Sequence, residues 1–482
     1  MPKPIGLLVS ILFSLALATP GTALDLGRRG LLGITAVPVP TSAGLNGPGV
    51  LAERVVAGSA AEQAGVVAGD VVLSVDGAPL AEVDDFLRAV RTHRAGDNVR
   101  VELRRAGRPV TLIIMLGTVP FETANGVDFV YDAVATPTGL RRTIMTKPQA
   151  LEVGRLPAVL LIGGIGTYSV DYSFDSDHDV AEPYRRLLAG LTRRGFITLR
   201  VEKSGVGDSE GPPAKEVDLE AELTGYVAGL RMLKQRAEVD PDRIFILGHS
   251  IGSVEGPMAA AREPVRGIVV MQGVGTTWLE YELVNARRQL ELEGLLPAAV
   301  ADRMAIKEWA LHRLLIEGQP RAALLAERPA AKEAIKYPAS DAYLRQVAAL
   351  NLPALWAQLD LPVLVVYGSS DFITSEADSR AIVESVNRTH PGRGELRIMA
   401  RMDHYLTDAA VEFQSSPTLG SGAGSTSSLP GCDRTGRRRL VGSPSWPWQG
   451  LRPKVGAEAV TADPTRRLSD TSLRTSASGL TG

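Results

Sequence analysis

Cysteine is almost missing from this sequence: Cys432 is the only one in 482 residues. No intrachain disulfide can staple the fold, and stability has to come from a packed interior. An excess of charge of one sign is missing too. Lys and Arg number 52 against 54 Asp and Glu, a net charge of -2, which supplies no broad positive field for nucleic acid or anionic lipid. Nucleic acid is therefore not an expected partner. Long apolar runs are also lacking. The stretch 5–17 falls short of the roughly 20 residues that span a bilayer, and no later segment is apolar for longer. With Lys3 before it and Ala16, Ala18 and Ala23 as small residues around its end, this stretch reads as an export signal covering residues 1–23. Its removal would leave a chain without stable membrane insertion, placed in the periplasm or outside the cell.

What is present is length and ordinary composition. A chain of 482 residues, 45% hydrophobic and 22% charged, is too long for one core and apolar enough to build two. Residues 28–118 read as a small β-rich domain, with strands at 49–56, 70–75, 99–103 and 110–115 separated by Asp76-Gly77 and Ala106-Gly107 turns and one amphipathic helix over 81–93. The run Gly58-Ser59-Ala60-Ala61, then Ala64-Gly65, Ala68-Gly69-Asp70-Val71-Val72 and Val75-Asp76-Gly77 resembles a bacterial PDZ domain. That resemblance implies a loop whose backbone N–H groups take the carboxylate of a peptide C-terminus, the peptide adding as a strand to the sheet edge. Leu31, Leu32, Gly33 and Ile34 occupy the matching place.

From residue 119 the pattern changes to short apolar runs alternating with helical stretches, the signature of a parallel sheet covered on both faces. Opening antiparallel strands fit 127–133 and 141–146. Buried strands fit 158–162, 197–201, 244–247, 268–271, 363–367 and 396–399, and crossover helices fit 183–194, 218–236 and 377–386. An Ala-, Leu-, Glu- and Arg-rich insertion over 276–359 reads as a helical lid, within a domain extending to 413. Residues 414–482 turn to Ser, Thr, Gly, Pro and Arg without apolar periodicity and read as disordered.

The strongest chemical signal is Gly248-His249-Ser250-Ile251-Gly252 directly after an apolar strand. A serine on so tight a turn exposes its hydroxyl, and flanking side chains would strike neighbouring backbone. Serine needs a base, and the base needs an orienting group. Asp371 follows the strand at 363–367 and His404 follows the last one. The order Ser, Asp, His and these loop positions resemble the α/β-hydrolase family over residues 127–406. The resemblance implies Ser250 as nucleophile, His404 as base and acid, and Asp371 as the orienting carboxylate. Asp403 ranks below Asp371 because a residue adjacent to a histidine rarely reaches its ring in the required geometry.

The same resemblance implies two oxyanion donors: the N–H of Ile251, after the nucleophile, and an N–H from Leu161-Ile162-Gly163-Gly164-Ile165-Gly166, for which Ile165 is the choice. The stretch 200–211 is similar to a turn that is structural in this fold. The loop with Asp175, Asp177, His178 and Asp179 reads as solvated acid rather than a metal site, and no cofactor is implied. A final helix should follow the histidine, yet only 407–413 could begin it. The expected fold is thus α/β, an α/β-hydrolase with a helical lid behind a PDZ-like domain. The expected function is an exported serine hydrolase of esters or related acyl bonds. Alternatives are a PDZ-assisted serine peptidase of prolyl-oligopeptidase type and a non-catalytic envelope binding protein.

Overall fold

The computed structural model describes Leu24 and residues 26–40, 48–150, 154–171 and 180–409. The expected signal, the acidic loop from Asp175 to Asp179, the polar tail and the end of the short 407–413 segment lie outside the described residues. At the centre is an eight-stranded sheet. Its order from one edge is Gly394–Met399, Val363–Gly368, Gly267–Met271, Val239–His249, Leu156–Ile162, Ile197–Val201, Gly139–Pro148 and Val127–Thr136. The last two pair antiparallel and the others run parallel. Ile197–Val201 and Gly267–Met271 are buried at every position, as strands with helices on both faces must be.

Helices Leu219–Gln235 and Glu376–Thr389 send Leu223, Leu230, Leu233, Ile382 and Val386 into one core with Leu160, Ile246 and Val365 of the sheet. Both start on a side-chain cap: Asp218 accepts the N–H of Ala221, and Ser375 forms a capping box with Asp378. Between strands Gly267–Met271 and Val363–Gly368 the chain runs through helices Trp278–Leu292, Pro297–Leu311, Arg321–Glu327, Asp341–Ala348 and Leu352–Ala357. Their apolar residues, among them Leu311, Leu324 and Leu344, share a second core with Ile251 and Val254 from beside the nucleophile turn.

The N-terminal six-stranded sheet has the order Ile34–Pro38, Val50–Val55, Val71–Val75, Asn98–Arg105, Arg108–Met115, with Ala78–Pro79 paired to Val71–Val75. Helix Val83–Arg91 buries Phe86 against it. Buried charge ties the segment ahead of this sheet to the larger domain. Arg28 Nη1 reaches Asp171 and lies 2.8 Å from Asp208 Oδ2, which also accepts from Arg142 Nε at 3.0 Å, while Asp208 Oδ1 accepts the Arg29 N–H at 2.8 Å. Arg28 also lies against the rings of Phe121 and Tyr131.

Candidate functional site

Strand Val239–His249 runs into Ser250 and then helix Gly252–Arg262. Ser250 has φ 56°, a left-handed conformation that a non-glycine residue adopts at a cost. The flanking glycines show what sustains it. A Cβ on Gly248 would stand 2.4 Å from the Gly252 carbonyl oxygen, and one on Gly252 would stand 2.5 Å from that of Ile162. Only hydrogen at both positions permits so sharp a strand-to-helix turn.

The three separated side chains meet above the sheet. His404 Nε2 lies 3.2 Å from Ser250 Oγ, and His404 Nδ1 lies 2.9 Å from Asp371 Oδ2 and 3.2 Å from Oδ1. Asp371 also accepts from Ile373 N at 2.6 Å, Thr374 N at 2.8 Å and Thr374 Oγ1 at 2.6 Å. Burial opposes its ionisation. The charge and hydrogen bond of His404, with those from Thr374, outweigh that cost and hold the carboxyl below the usual value. Asp403 is engaged by Thr407, accepting from its N–H at 2.8 Å and its hydroxyl at 2.6 Å.

Three residues to which the sequence assigns no role hold this arrangement. Gln272, at the end of strand Gly267–Met271, donates to the Asp403 carbonyl at 2.8 Å and accepts the Gly368 N–H at 2.9 Å, tying the acid-bearing loop to the histidine-bearing loop. His249 Nε2 lies 2.8 Å from the His404 carbonyl oxygen, which can only accept, so the proton sits on Nε2 and Nδ1 accepts from Tyr184 Oη at 2.5 Å. From the insertion, Arg288 donates to the Asp371 carbonyl at 2.6 Å and to that of Phe372 at 3.0 Å. The helix Trp278–Leu292 is therefore a brace for the acid loop. A glutamine beyond a strand and an arginine on a helix carry no local signal of such duties.

Burial, with the charge of His404 a smaller contributor, pushes the pKa of His249 down from 6.5 to about 3. A folded pKa below the unfolded one means that the unfolded chain takes up a proton the native state refuses. This stability is complete above pH 6.5 and falls as pH drops toward about 3. His249→Gln, which keeps a donor for the His404 carbonyl, is expected to flatten the decline of unfolding free energy with acid by up to about 1.4 kcal/mol per pH unit. Urea unfolding of parent and variant across that window checks it; equal slopes would refute it.

Ile251 begins the helix after Ser250, where N–H groups have no partner one turn earlier. Ile165 follows Gly164, on which a Cβ would stand 3.6 Å from Ser250 Cβ. In the N-terminal domain, Leu31 pairs with Gly117 in a separate two-stranded sheet, and the carbonyls of Leu32 and Gly33 accept from Ala61 N and Val56 N at 2.9 Å each. Gly33 has φ +83° and packs on Ser59. Ile34 opens the edge strand Ile34–Pro38.

Residues 30–116 match the family described as PDZ domain, and residues 178–408 match the family described as serine aminopeptidase, S33. The chain joins a PDZ domain to a serine-hydrolase domain of the α/β-hydrolase fold. Esterase EstD of Thermotoga maritima is 23% identical over 264 residues, 55% of this chain and 57% of the esterase, so the chain spans little more than half of that relative. A probable periplasmic serine endoprotease DegP-like of Rhizobium meliloti is 37% identical over 97 residues, 19% of each chain. Among solved structures, Est1E from Butyrivibrio proteoclasticus, with ferulic acid bound, is 16% identical with a TM-score of 0.37, covering 57% of this hydrolase and 90% of that chain. The acylaminoacyl peptidase of Pyrococcus horikoshii is 11% identical with a TM-score of 0.38, covering 64% of this chain and 44% of its own.

Proposed function

We propose that the chain is an exported esterase that cleaves carboxylic esters or related acyl bonds through an acyl-enzyme on Ser250. The observation that carries the reading is the run from Ser250 Oγ to His404 Nε2 at 3.2 Å and from His404 Nδ1 to Asp371 Oδ2 at 2.9 Å. In this mechanism Ser250 Oγ bonds to the substrate carbonyl carbon while its proton passes to His404 Nε2. Asp371 holds the ring by the proton on Nδ1 and supports the charge it gains. The carbonyl oxygen, now an oxyanion, lies between the N–H groups of Ile251 and Ile165. Collapse breaks the bond to the alcohol oxygen, which receives the proton from His404. A water molecule, deprotonated by the same nitrogen, then releases the acid and restores the serine.

The PDZ domain supplies a second role. Among the described residues strand Ile34–Pro38 pairs on one side only, and Leu31 to Gly33 precede it; with Ile34 they suit an extended peptide with a free carboxylate. Domain extents of 28–118 and 119–413, the latter with a helical insertion at 276–359, accompany this reading. Location in the periplasm or outside the cell is supported by the N-terminal sequence and by the periplasmic DegP-like relatives of the PDZ part. A peptidase is the second reading, favoured by the match to the serine aminopeptidase family. Parallel assays on ester and peptide substrates separate the two.

The test is intact-mass analysis after treatment with a fluorophosphonate. One adduct is expected on the parent and none on Ser250→Ala with an unchanged circular dichroism spectrum. A well-folded parent that takes no adduct would overturn the reading.

A further inference from the structure

Lys203 lies just beyond strand Ile197–Val201, in the stretch that the sequence offers only as a turn. Its side chain is 3% exposed and its Nζ lies 2.7 Å from Glu222 Oε1. The same nitrogen donates to the Gly164 carbonyl oxygen at 3.0 Å, and Tyr168 Oη donates to that oxygen at 2.9 Å. A buried ammonium and a half-buried phenol thus converge on a single loop carbonyl. Burial opposes the lysine charge, but Glu222 and Glu255 outweigh it and raise the pKa of Lys203. Glu255, which accepts from Tyr343 Oη at 2.8 Å, is pushed well above the usual carboxyl value by burial and by Glu222. The ammonium is thus held beneath the loop by buried carboxyl groups on helices Leu219–Gln235 and Gly252–Arg262.

The carbonyl they hold belongs to the peptide unit that ends in the Ile165 N–H. That unit is planar and trans, so its C=O and N–H point in opposite directions. Fixing the oxygen from one side fixes the aim of the N–H on the other. A charged donor on the oxygen also draws electron density through the amide and makes its N–H a stronger donor. The neighbouring Gly164 N–H meets Tyr184 Oη at 3.2 Å, and a Cβ on Gly164 would lie 3.4 Å from His249 Nδ1 and 3.6 Å from Ser250 Cβ. The unit is pinned beside the nucleophile with little room to turn.

We infer that Lys203, assisted by Tyr168, is a positioning residue that aims and polarises the Ile165 N–H for the oxyanion. This rests on Ile165 being an oxyanion donor, as proposed above. The effect is confined to the state in which charge has moved onto the substrate oxygen, so substrate binding is little changed while turnover falls.

The experiment uses full-length parent, Lys203→Met and Tyr168→Phe, with p-nitrophenyl butyrate as substrate, a trifluoromethyl ketone as inhibitor, and fluorophosphonate titration to count active sites. Lys203→Met is expected to lower kcat per titrated site about 100-fold and to leave KM within about threefold of the parent. Affinity for the ketone, whose hemiketal carries the oxyanion, should weaken by the same factor as kcat/KM. Tyr168→Phe, which keeps the ring and removes one donor, should lower kcat per titrated site and ketone affinity by about 3- to 10-fold, again with KM little changed. A residue that served structure alone would lower the melting temperature and leave kcat per titrated site unchanged, which would overturn the inference. If Lys203→Met does not fold, Tyr168→Phe decides alone: parental kcat and ketone affinity refute the inference. A parent that takes no fluorophosphonate on Ser250 refutes the underlying reading, and the inference with it.

Discussion

Asp371→Asn is expected to lower kcat by about 10⁴-fold, the loss that the same change produces in a serine protease triad, without unfolding the protein. The carboxylate accepts from His404 Nδ1, from the N–H groups of Ile373 and Thr374, and from the Thr374 hydroxyl. In the variant the amide oxygen can keep the two backbone donors, which leaves its NH2 facing the imidazole. That group donates, so Nδ1 must accept and the ring proton moves to Nε2. Nε2 then faces Ser250 Oγ, 3.2 Å away in the parent, with a hydrogen where a lone pair is needed. The loop itself stays in place, because Arg288 holds the carbonyls of Asp371 and Phe372 and Gln289 also donates to that of Phe372, at 3.3 Å. Ester turnover per folded molecule, with circular dichroism as the check on folding, measures the effect. A folded variant within about tenfold of the parent would remove Asp371 from the orienting role.

The parts of this architecture that local physics dictates were legible before any coordinates. Parallel strands such as Leu156–Ile162 and Gly267–Met271 are apolar runs because both faces are covered, and their burial follows that pattern. The close approaches at Gly248 and Gly252 are likewise written into the residue type. Asp218 and Ser375 begin their helices in the way their side chains permit. Boundaries set by polar segments were harder to see. Strand Val239–His249 begins five residues before its apolar core, through Asp240, Pro241 and Asp242, and of the half-buried edge strand Ile34–Pro38 the sequence reading takes in only Ile34, at the end of a loop.

Least legible were the polar contacts between distant residues. Gln272 with Asp403, Lys203 with Gly164 and Arg28 with Asp208 lie far apart in sequence. Such pairs impose no periodicity and no composition on their surroundings, so only the folded arrangement brings them forward. The site shows the same division. Ser250 announces itself through the glycines that its turn requires, whereas the residues that hold His404 and the Gly164 carbonyl in place do not.

The contact between the two domains is where that hidden information has its largest energetic consequence. Asp208→Ala is expected to destabilise the protein by about 3–5 kcal/mol, the usual cost of removing one partner from a buried ion pair. Asp208 is 4% exposed and serves Arg28, Arg142 and the Arg29 N–H together. Arg28 would keep Asp171, but Arg142, also 4% exposed, would lose its only ionic partner among the described residues while its Nη groups stay committed to the carbonyls of Asp132 and Leu26. A buried ion pair need not make the fold more stable than an apolar substitute would; the penalty here comes from stranding a charge already taken out of water. An exposed bridge between the domains, Lys215 with Asp84, makes the contrast. Its side chains are 49% and 52% exposed, so Lys215→Ala should cost less than about 1 kcal/mol, and less still at high salt. Chemical unfolding of both variants, with limited proteolysis to follow release of the segment that carries Arg28 and Arg29, separates the two contacts. A large loss in Asp208→Ala together with faster cleavage near Arg28 would place the hold between PDZ domain and hydrolase in that buried cluster. Equal, small effects in both variants would mean that water reaches Asp208 and its arginines, and that the domains are held by apolar contact instead.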